Sequence, residues 1–343
     1  MQRSRVGAAI GLGLASLLAS LAVSELLYRA VVLIRYRQQV ASFSAEPWRL
    51  VPGSPLIFRL AEGHAGRIPL GASPRTVPYR TNTDGFRDPE RGARRPGVPR
   101  VLVLGDSFTF GWGVLDEQPY PQRTEKLLRA QGLEVEVINA GIPGYNTEQE
   151  AVLLDELMPR YQPDQVVLGY VVNDAEPQAN APQPPTITYR YVRSWIWEDA
   201  RELVARHFAG QSDLQSPNKL VTSVRYLDGF QPASPKWRES KAALGRIAHT
   251  CRAAGAQLLV MMLPDTTEPF DTSYPYRIIH REVMAWSREL GVPAVDLLET
   301  FGGRNHVEYM VPDDGHPNAR AHDSIAVELA NRIGGSLRAP ALR

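Results

Sequence analysis

The chain is poor in the residues that build covalent or metal-centred chemistry. A single cysteine, Cys251, stands among 343 residues. No intrachain disulfide and no thiolate metal cluster can therefore form. Charge of one sign is not in surplus either. The formal net charge is +1, with no long basic or acidic run, so the electrostatic footprint of a nucleic-acid binder is missing. The seven histidines are scattered and show no H-E-x-x-H spacing. No internal repeat or low-complexity tract is evident. No metal or cofactor is expected, and no nucleic-acid partner.

What is present begins with a long apolar run. Arg3 and Arg5 precede an uncharged stretch from Val6 to Val23, rich in Leu, Ala and Gly, close to the ~20 residues that cross a bilayer core. Glu25 interrupts it before Leu26, Leu27, Val31, Val32, Leu33 and Ile34. A cleaved signal peptide is one reading, since Ala22 and Ser24 offer a small-x-small site, although the run exceeds a usual h-region. A buried soluble helix is another, although so long a run without a polar face is rare in water-soluble domains. A signal-anchor transmembrane helix within residues 1–37 fits best. Arg29, Arg35 and Arg37 oppose Arg3 and Arg5, so the positive-inside count leaves orientation open. The bulk of the protein follows the helix and is expected outside the cytoplasmic membrane.

Residues 38–98 read as an irregular arm rich in Pro, Gly and Arg. Within it Tyr79–Arg87 resembles a turn, Asp84-Gly85 favouring a positive φ at the glycine. A surface loop or short hairpin ahead of the domain is expected there, in preference to an arm packed near an active site. From residue 99 to about 338 the chain alternates regularly. Apolar strands are expected at Val101–Leu104, Val135–Ile138, Gln165–Val172, Leu258–Leu263 and Ala294–Leu298. Helices are expected at 119–131, 237–254, 277–290 and 318–335, and after Thr147, which with Glu150 forms a capping box. Ile325, Leu329 and Ile333 mark the buried stripe of the last helix, with Asn318 as its N-cap. Largely apolar strands alternating with amphipathic helices imply an α/β domain with a five-stranded parallel sheet covered on both faces. An insertion at about 175–235 breaks the rhythm with Gln183-Pro184-Pro185 and the aromatics Tyr189, Tyr191, Trp195 and Trp197. Lids and substrate walls sit in such segments.

In an open parallel sheet, ligands bind beyond the carboxyl ends of the strands. The first strand delivers Gly105-Asp106-Ser107-Phe108, the second Asn139-Ala140-Gly141-Ile142-Pro143-Gly144, and the third Asn173-Asp174. Asp313-Asp314-Gly315-His316 stands before the last helix. A serine hydroxyl is a weak nucleophile and needs a base in hydrogen-bond reach. His316 can take that proton, and Asp313 can hold the imidazole in its working tautomer. The backbone amides of Ser107 and Gly144, with the Asn173 carboxamide, can receive the charge of a tetrahedral intermediate. Taken singly, Ser107 suits a phosphate-binding turn, His316 a helix cap and Asn173 a strand-end turn. Together, in order and at strand ends, they form the parts list of acyl transfer. Asp106 reads as a loop stabiliser, His322 as structural, and Cys251 as core.

These blocks resemble the SGNH/GDSL hydrolase family. Gly105-Asp106-Ser107-Phe108 is similar to its first block, with Phe108 where Leu is common. Gly144 falls at the second and Asn173-Asp174 at the third, although Gly169 stands farther upstream than the usual Gly-x-Asn-Asp places it. Asp313-x-x-His316 matches the last, which favours Asp313 over Asp314 as the orienter and leaves Asp314 to cap the turn. No G-x-S-x-G elbow points to the α/β-hydrolases instead. The resemblance spans about residues 98–337. It implies a flavodoxin-like three-layer α/β/α fold and hydrolysis of an ester or related acyl bond without a metal.

The leading expectation is an extracytoplasmic esterase or acylhydrolase acting on an acyl ester of a glycan or lipid. The insertion's aromatics suit sugar stacking and an apolar acyl pocket equally. An O-acyltransferase for a cell-surface glycan needs the same triad, differing only in acceptor. A non-catalytic, membrane-tethered binding module is the reading of another class, against which the intact set of site residues argues.

Overall fold

The computed structural model of the protein describes residues 12–13, 15–17, 19–31, 33–34, 48–51, 53–70, 76–176, 226–312 and 314–338. Asp313 and the four insertion aromatics lie outside them. So do residues 6–11, 14 and 18 of the expected anchor.

The core of the chain is a five-stranded parallel sheet. In chain order the strands are β5 (Arg100–Gly105), β6 (Glu136–Asn139), β7 (Gln165–Tyr170), β8 (Gln257–Met262) and β9 (Ala294–Asp296). They lie side by side as β6-β5-β7-β8-β9, every pair parallel. β5, β6 and β7 are buried along their whole length. Their Val- and Leu-rich runs carry no polar alternation because helices cover both faces. The chain steps one way from β5 to β6 and then the other way across β5 to β7. Right-handed crossovers therefore set the connecting helices on opposite faces. One face carries α2 (Tyr120–Ala130) against the last helix, α7 (Ala319–Arg338). The other carries α3 (Thr147–Tyr161) against α4 (Pro235–Ala253). Helix α5 (Arg277–Glu289) packs on β8 and β9. Between the two crossovers lies a topological switch point, and Ser107 begins the short helix α1 (Ser107–Phe110) there.

Most expected elements stand within two residues of their sequence positions. The strand expected to run on to Leu298 stops at Asp296, because Asp296 Oδ1 accepts from Leu298 N at 2.9 Å and turns the chain into α6 (Leu298–Phe301). The capping box of α3 lies one residue earlier than Thr147 and Glu150 suggested. Asn146 takes the extended N-cap backbone, accepting from Gln149 N at 3.1 Å, while Gln149 Oε1 accepts from Asn146 N at 3.3 Å. Thr147 is thereby freed to bond Asp174 O and Ser240. The last helix shows the expected cap, Asn318 Oδ1 accepting from Arg320 N and Ala321 N at 3.0 and 3.1 Å.

The described part of the arm contains two antiparallel ribbons, β1 (Trp48–Leu50) with β2 (Phe58–Leu60) and β3 (Ala65–Pro69) with β4 (Thr76–Arg80). Strands this short carry little periodicity, and burial decides them. Phe58, Leu60, Ile68, Tyr79 and Phe86 belong to the same apolar core as the sheet. The described residues between 12 and 34 are helical. Leu12, Leu17, Leu21, Leu26 and Leu27 are exposed there, and Arg29 pairs with Glu25 at 2.8 Å. Among the described residues no helix is long and apolar enough to cross a membrane.

Candidate active site

The turn that carries Ser107 is built by a glycine and a carboxylate. Gly105 ends β5 at φ +153, where an added Cβ would stand 2.0 Å from Thr109 Oγ1. The chain can thus turn sharply, and Asp106 caps α1 by accepting from Phe108 N at 2.8 Å. Asp106 is fully buried, and burial pushes its carboxyl above the usual carboxylate range. The Phe108 amide, the Asn173 side chain and His316 act against that rise. Its expected part as a loop stabiliser therefore has a definite form.

His316 comes from a tight loop in front of α7. Val311 N donates to His316 O at 2.7 Å, and Met310 and Pro317 form an antiparallel bridge. Thr266 donates to Gly315 O at 2.5 Å, tying the loop to the segment after β8. The result is a relay. Ser107 Oγ lies 2.9 Å from His316 Nε2, and His316 Nδ1 donates to Asp314 Oδ1. A carboxylate can only accept, so the ring hydrogen sits on Nδ1 and Nε2 is free to accept the serine proton. The His316 side chain keeps a quarter of its surface in solvent, whereas Asp314 keeps 9%.

The carboxylate described beside His316 is not the one expected. Asp313 lies outside the described residues, and the carboxylate bound to His316 Nδ1 is Asp314, which sequence had given the turn. The tight loop explains it. Asp314 N and Gly315 N both donate to Val311 O, and this curls the residue two before the histidine back onto its ring.

Asn173 stands at the end of β7 and donates to Asp106 Oδ2 at 3.1 Å. Ser107 Oγ lies 3.4 Å from the same oxygen. Asn173 and Ser107 thus share one buried carboxylate. Gly144 sits in the loop after β6, exposed and at φ +84. That loop is stitched to the nucleophile strand by Ile142 N donating to Gly105 O at 3.0 Å. Gly141 in it approaches α1 so closely that a Cβ would stand 2.4 Å from Phe110 N. Among the described residues no hydrogen bond joins Gly144 itself to Ser107, His316 or Asn173.

Sequence reasoning missed several neighbours. The rings of Phe108 and Trp112 lie 5.6 and 5.9 Å from the His316 ring, so two half-buried aromatics wall its imidazole. Their four-residue spacing in one turn was the available signal. Glu150 in α3 and Asp174, next to Asn173 in the chain, are fully buried carboxyl groups, both pushed well up by burial and by their mutual repulsion with Asp106. Both oxygens of Glu150 and Oδ1 of Asp174 lack hydrogen-bond partners among the described residues. The turn at Tyr79–Arg87, expected as a surface loop or short hairpin, follows a hairpin (β3–β4), and its residues Tyr79, Phe86 and Arg87 are buried, Arg87 at 1% exposure. His322 is structural as expected. Its Nδ1 accepts from Tyr120 N at 3.1 Å, and burial lowers its pKa to about 3. Cys251 is buried in the core. Among the described residues no group of His, Cys, Asp and Glu could hold a metal ion.

Comparison with known proteins bears on the family of the chain. The profile of the GDSL-like Lipase/Acylhydrolase family matches residues 103–323, well over half of the chain. A curated arylesterase of Vibrio mimicus is 33% identical over 75 residues, which is 22% of this chain and 38% of that protein. The chain thus spans well under half the length of this curated relative. Among solved structures, TesA shares 20% identity over 68% of this chain and 98% of its own, with a TM-score of 0.45. The esterase EstA from Pseudoalteromonas sp. shares 17%, covering 70% and 99%, with a TM-score of 0.43.

Proposed function

The chain belongs to the GDSL-like lipase/acylhydrolase family, and we propose that it is an ester hydrolase with Ser107 as nucleophile. The observation that carries this reading is the relay from Ser107 Oγ to His316 Nε2 at 2.9 Å and from Nδ1 to Asp314. Ser107 Oγ attacks the acyl carbon while His316 Nε2 takes its proton. Asp314 stabilises the imidazolium so formed. Negative charge on the former carbonyl oxygen is received by the Ser107 and Gly144 amides and the Asn173 carboxamide. Asn173 Nδ2 carries two hydrogens. One is held by Asp106, which leaves the other to point at the oxyanion. His316 then gives its proton to the departing alcohol. A water activated by the same nitrogen releases the acid and restores Ser107.

The test is covalent. A fluorophosphonate probe labels Ser107 in the folded protein, and Ser107→Ala loses both labelling and hydrolysis of short-chain p-nitrophenyl esters. Ester hydrolysis that persists unchanged in Ser107→Ala overturns the assignment. An acyl acceptor other than water would use the same groups, so transfer to an added glycan is measured against release of free acid.

The N-terminal segment, residues 1–37, is read as a membrane anchor with the hydrolase domain outside the cytoplasmic membrane. The exposure of Leu12, Leu17, Leu21, Leu26 and Leu27 supports an apolar surrounding for that segment. Membrane fractionation of the full chain beside one starting at residue 38 checks it, and equal solubility of the two removes it.

A further inference from the structure

We propose that Arg87 is a positioning residue for the nucleophile, holding Ser107 against His316 by clamping the far end of the helix that carries it. This rests on the reading of Ser107 as nucleophile. Helix α1 has four residues, too few to persist by its own hydrogen bonds. The carbonyls at its C-terminal end and in the turn that follows need outside donors, and Arg87 supplies them from the arm, Nη1 lying 3.5 Å from Phe110 O. Nη1 donates to Gly111 O at 2.5 Å and Nη2 to Val114 O at 2.5 Å. Nε donates to Asp116 Oδ1 at 2.8 Å. The guanidinium plane also lies 5.2 Å from the Phe110 ring centroid and 5.9 Å from that of Tyr79.

The clamp sits one peptide from the serine's own backbone bonds. Gly111 N and Trp112 N both donate to Ser107 O, at 3.1 and 3.0 Å. Gly111 itself is in the left-handed region at φ +82, and a Cβ there would stand 2.4 Å from Pro119. The same turn carries Trp112, whose ring walls His316. A shift at Gly111 would therefore move nucleophile and wall together relative to the base.

The other end of the clamp is also fixed. Arg87 O accepts from Gln122 Nε2 at 2.7 Å. Asn82 Oδ1 accepts from Phe86 N at 2.9 Å, and Asp88 holds Arg91 at 2.5 and 3.0 Å. A planar fork spanning two carbonyls and a carboxylate is a task for Arg, and the Lys point charge cannot reproduce it.

The experiment uses the full chain with Arg87→Lys, Arg87→Gln and a control, Thr81→Val. Among the described residues Thr81 bonds within the arm alone, its hydroxyl to Ala61 O and His64 N. Thermal stability, kcat and KM for a p-nitrophenyl ester, and the rate of fluorophosphonate labelling are measured for each. Both Arg87 variants are expected to lose roughly ten- to a hundredfold in kcat and in labelling rate. KM should stay within roughly threefold. Thr81→Val is expected to lower stability while keeping both rates. Arg87 variants that label as fast as wild type overturn the proposal. So does a Thr81→Val protein whose rates fall in step with its stability, since that marks a merely structural arm. If the Arg87 variants do not fold, Asp116→Ala removes the exposed carboxylate alone, and a labelling rate unchanged in it overturns the clamp. Unlabelled wild-type protein would instead remove the nucleophile assignment itself.

Discussion

Asp314 and His316, two residues apart, are joined by a hydrogen bond from the imidazole Nδ1 to the carboxylate, and the opposite ring nitrogen faces Ser107. An orienter so near in sequence depends wholly on the curl of its loop. Asp314→Asn is expected to favour the wrong tautomer and lower kcat by about 10⁴, the order known for a triad carboxylate. Asp313→Asn is expected to leave kcat within a few-fold. Steady-state kinetics of the two variants decide between the carboxylates, and the reverse ranking would return the role to Asp313.

Asn173 is bound to Asp106 rather than to the strand it follows. Its carboxamide is therefore set in place before substrate arrives. Asn173→Ala is expected to cost about 10²- to 10³-fold in kcat, the loss of one oxyanion donor, with KM little changed. A loss confined to KM would mean that Asn173 binds ground-state substrate only.

Glu150 and Asp174 work against stability as pH rises. Burial and mutual repulsion raise both carboxyls above their ordinary values. The folded state thus keeps protons that the unfolded chain releases once pH passes 4.5, the ordinary value for glutamate. Their stabilising protonation is complete in acid and is lost through the window above that value. Glu150→Gln is expected to raise the melting temperature at pH 8 and to change it little at pH 4. Equal or lower melting at both values would show that the ionised form is accommodated.

His322 acts at the other end of the pH scale. Its folded pKa is lowered to about 3, chiefly by burial, from an ordinary 6.5. Between those values the unfolded chain binds a proton that the folded chain cannot. Stability is therefore retained above 6.5 and lost as pH falls toward 3, with a limiting slope of about 1.4 kcal/mol per pH unit. In His322→Asn, the acid limb of denaturant midpoints measured from pH 7 to 4 should be flatter. An unaltered slope would assign the acid limb to other groups.

Much of the sheet was legible because its strands are buried on both faces. Val101–Leu104 and Gln165–Tyr170 read as apolar runs whatever surrounds them. The capping box slipped by one residue because Asn146/Gln149 and Thr147/Glu150 satisfy the same pattern. Only the extended backbone at Asn146 selects the first pair. The arm ribbons were illegible for another reason. Phe58, Leu60 and Tyr79 are too few per strand to show a period, and their burial is supplied by the distant sheet.

By itself the sequence determined which residue types meet at the strand ends. Ser107, Asn173 and His316 each follow an apolar run or precede an amphipathic helix, and the parallel sheet collects such positions along one edge. The tertiary structure decided what holds those groups. That Asp314 reaches His316 depends on hydrogen bonds to Val311 O, which no local pattern encodes. That Arg87 lies beneath the nucleophile helix depends on an arm folding back across 24 residues to Gly111. Residue chemistry is local and survives in a list of letters. Orientation is set by contacts between distant segments, which exist only once the chain has packed.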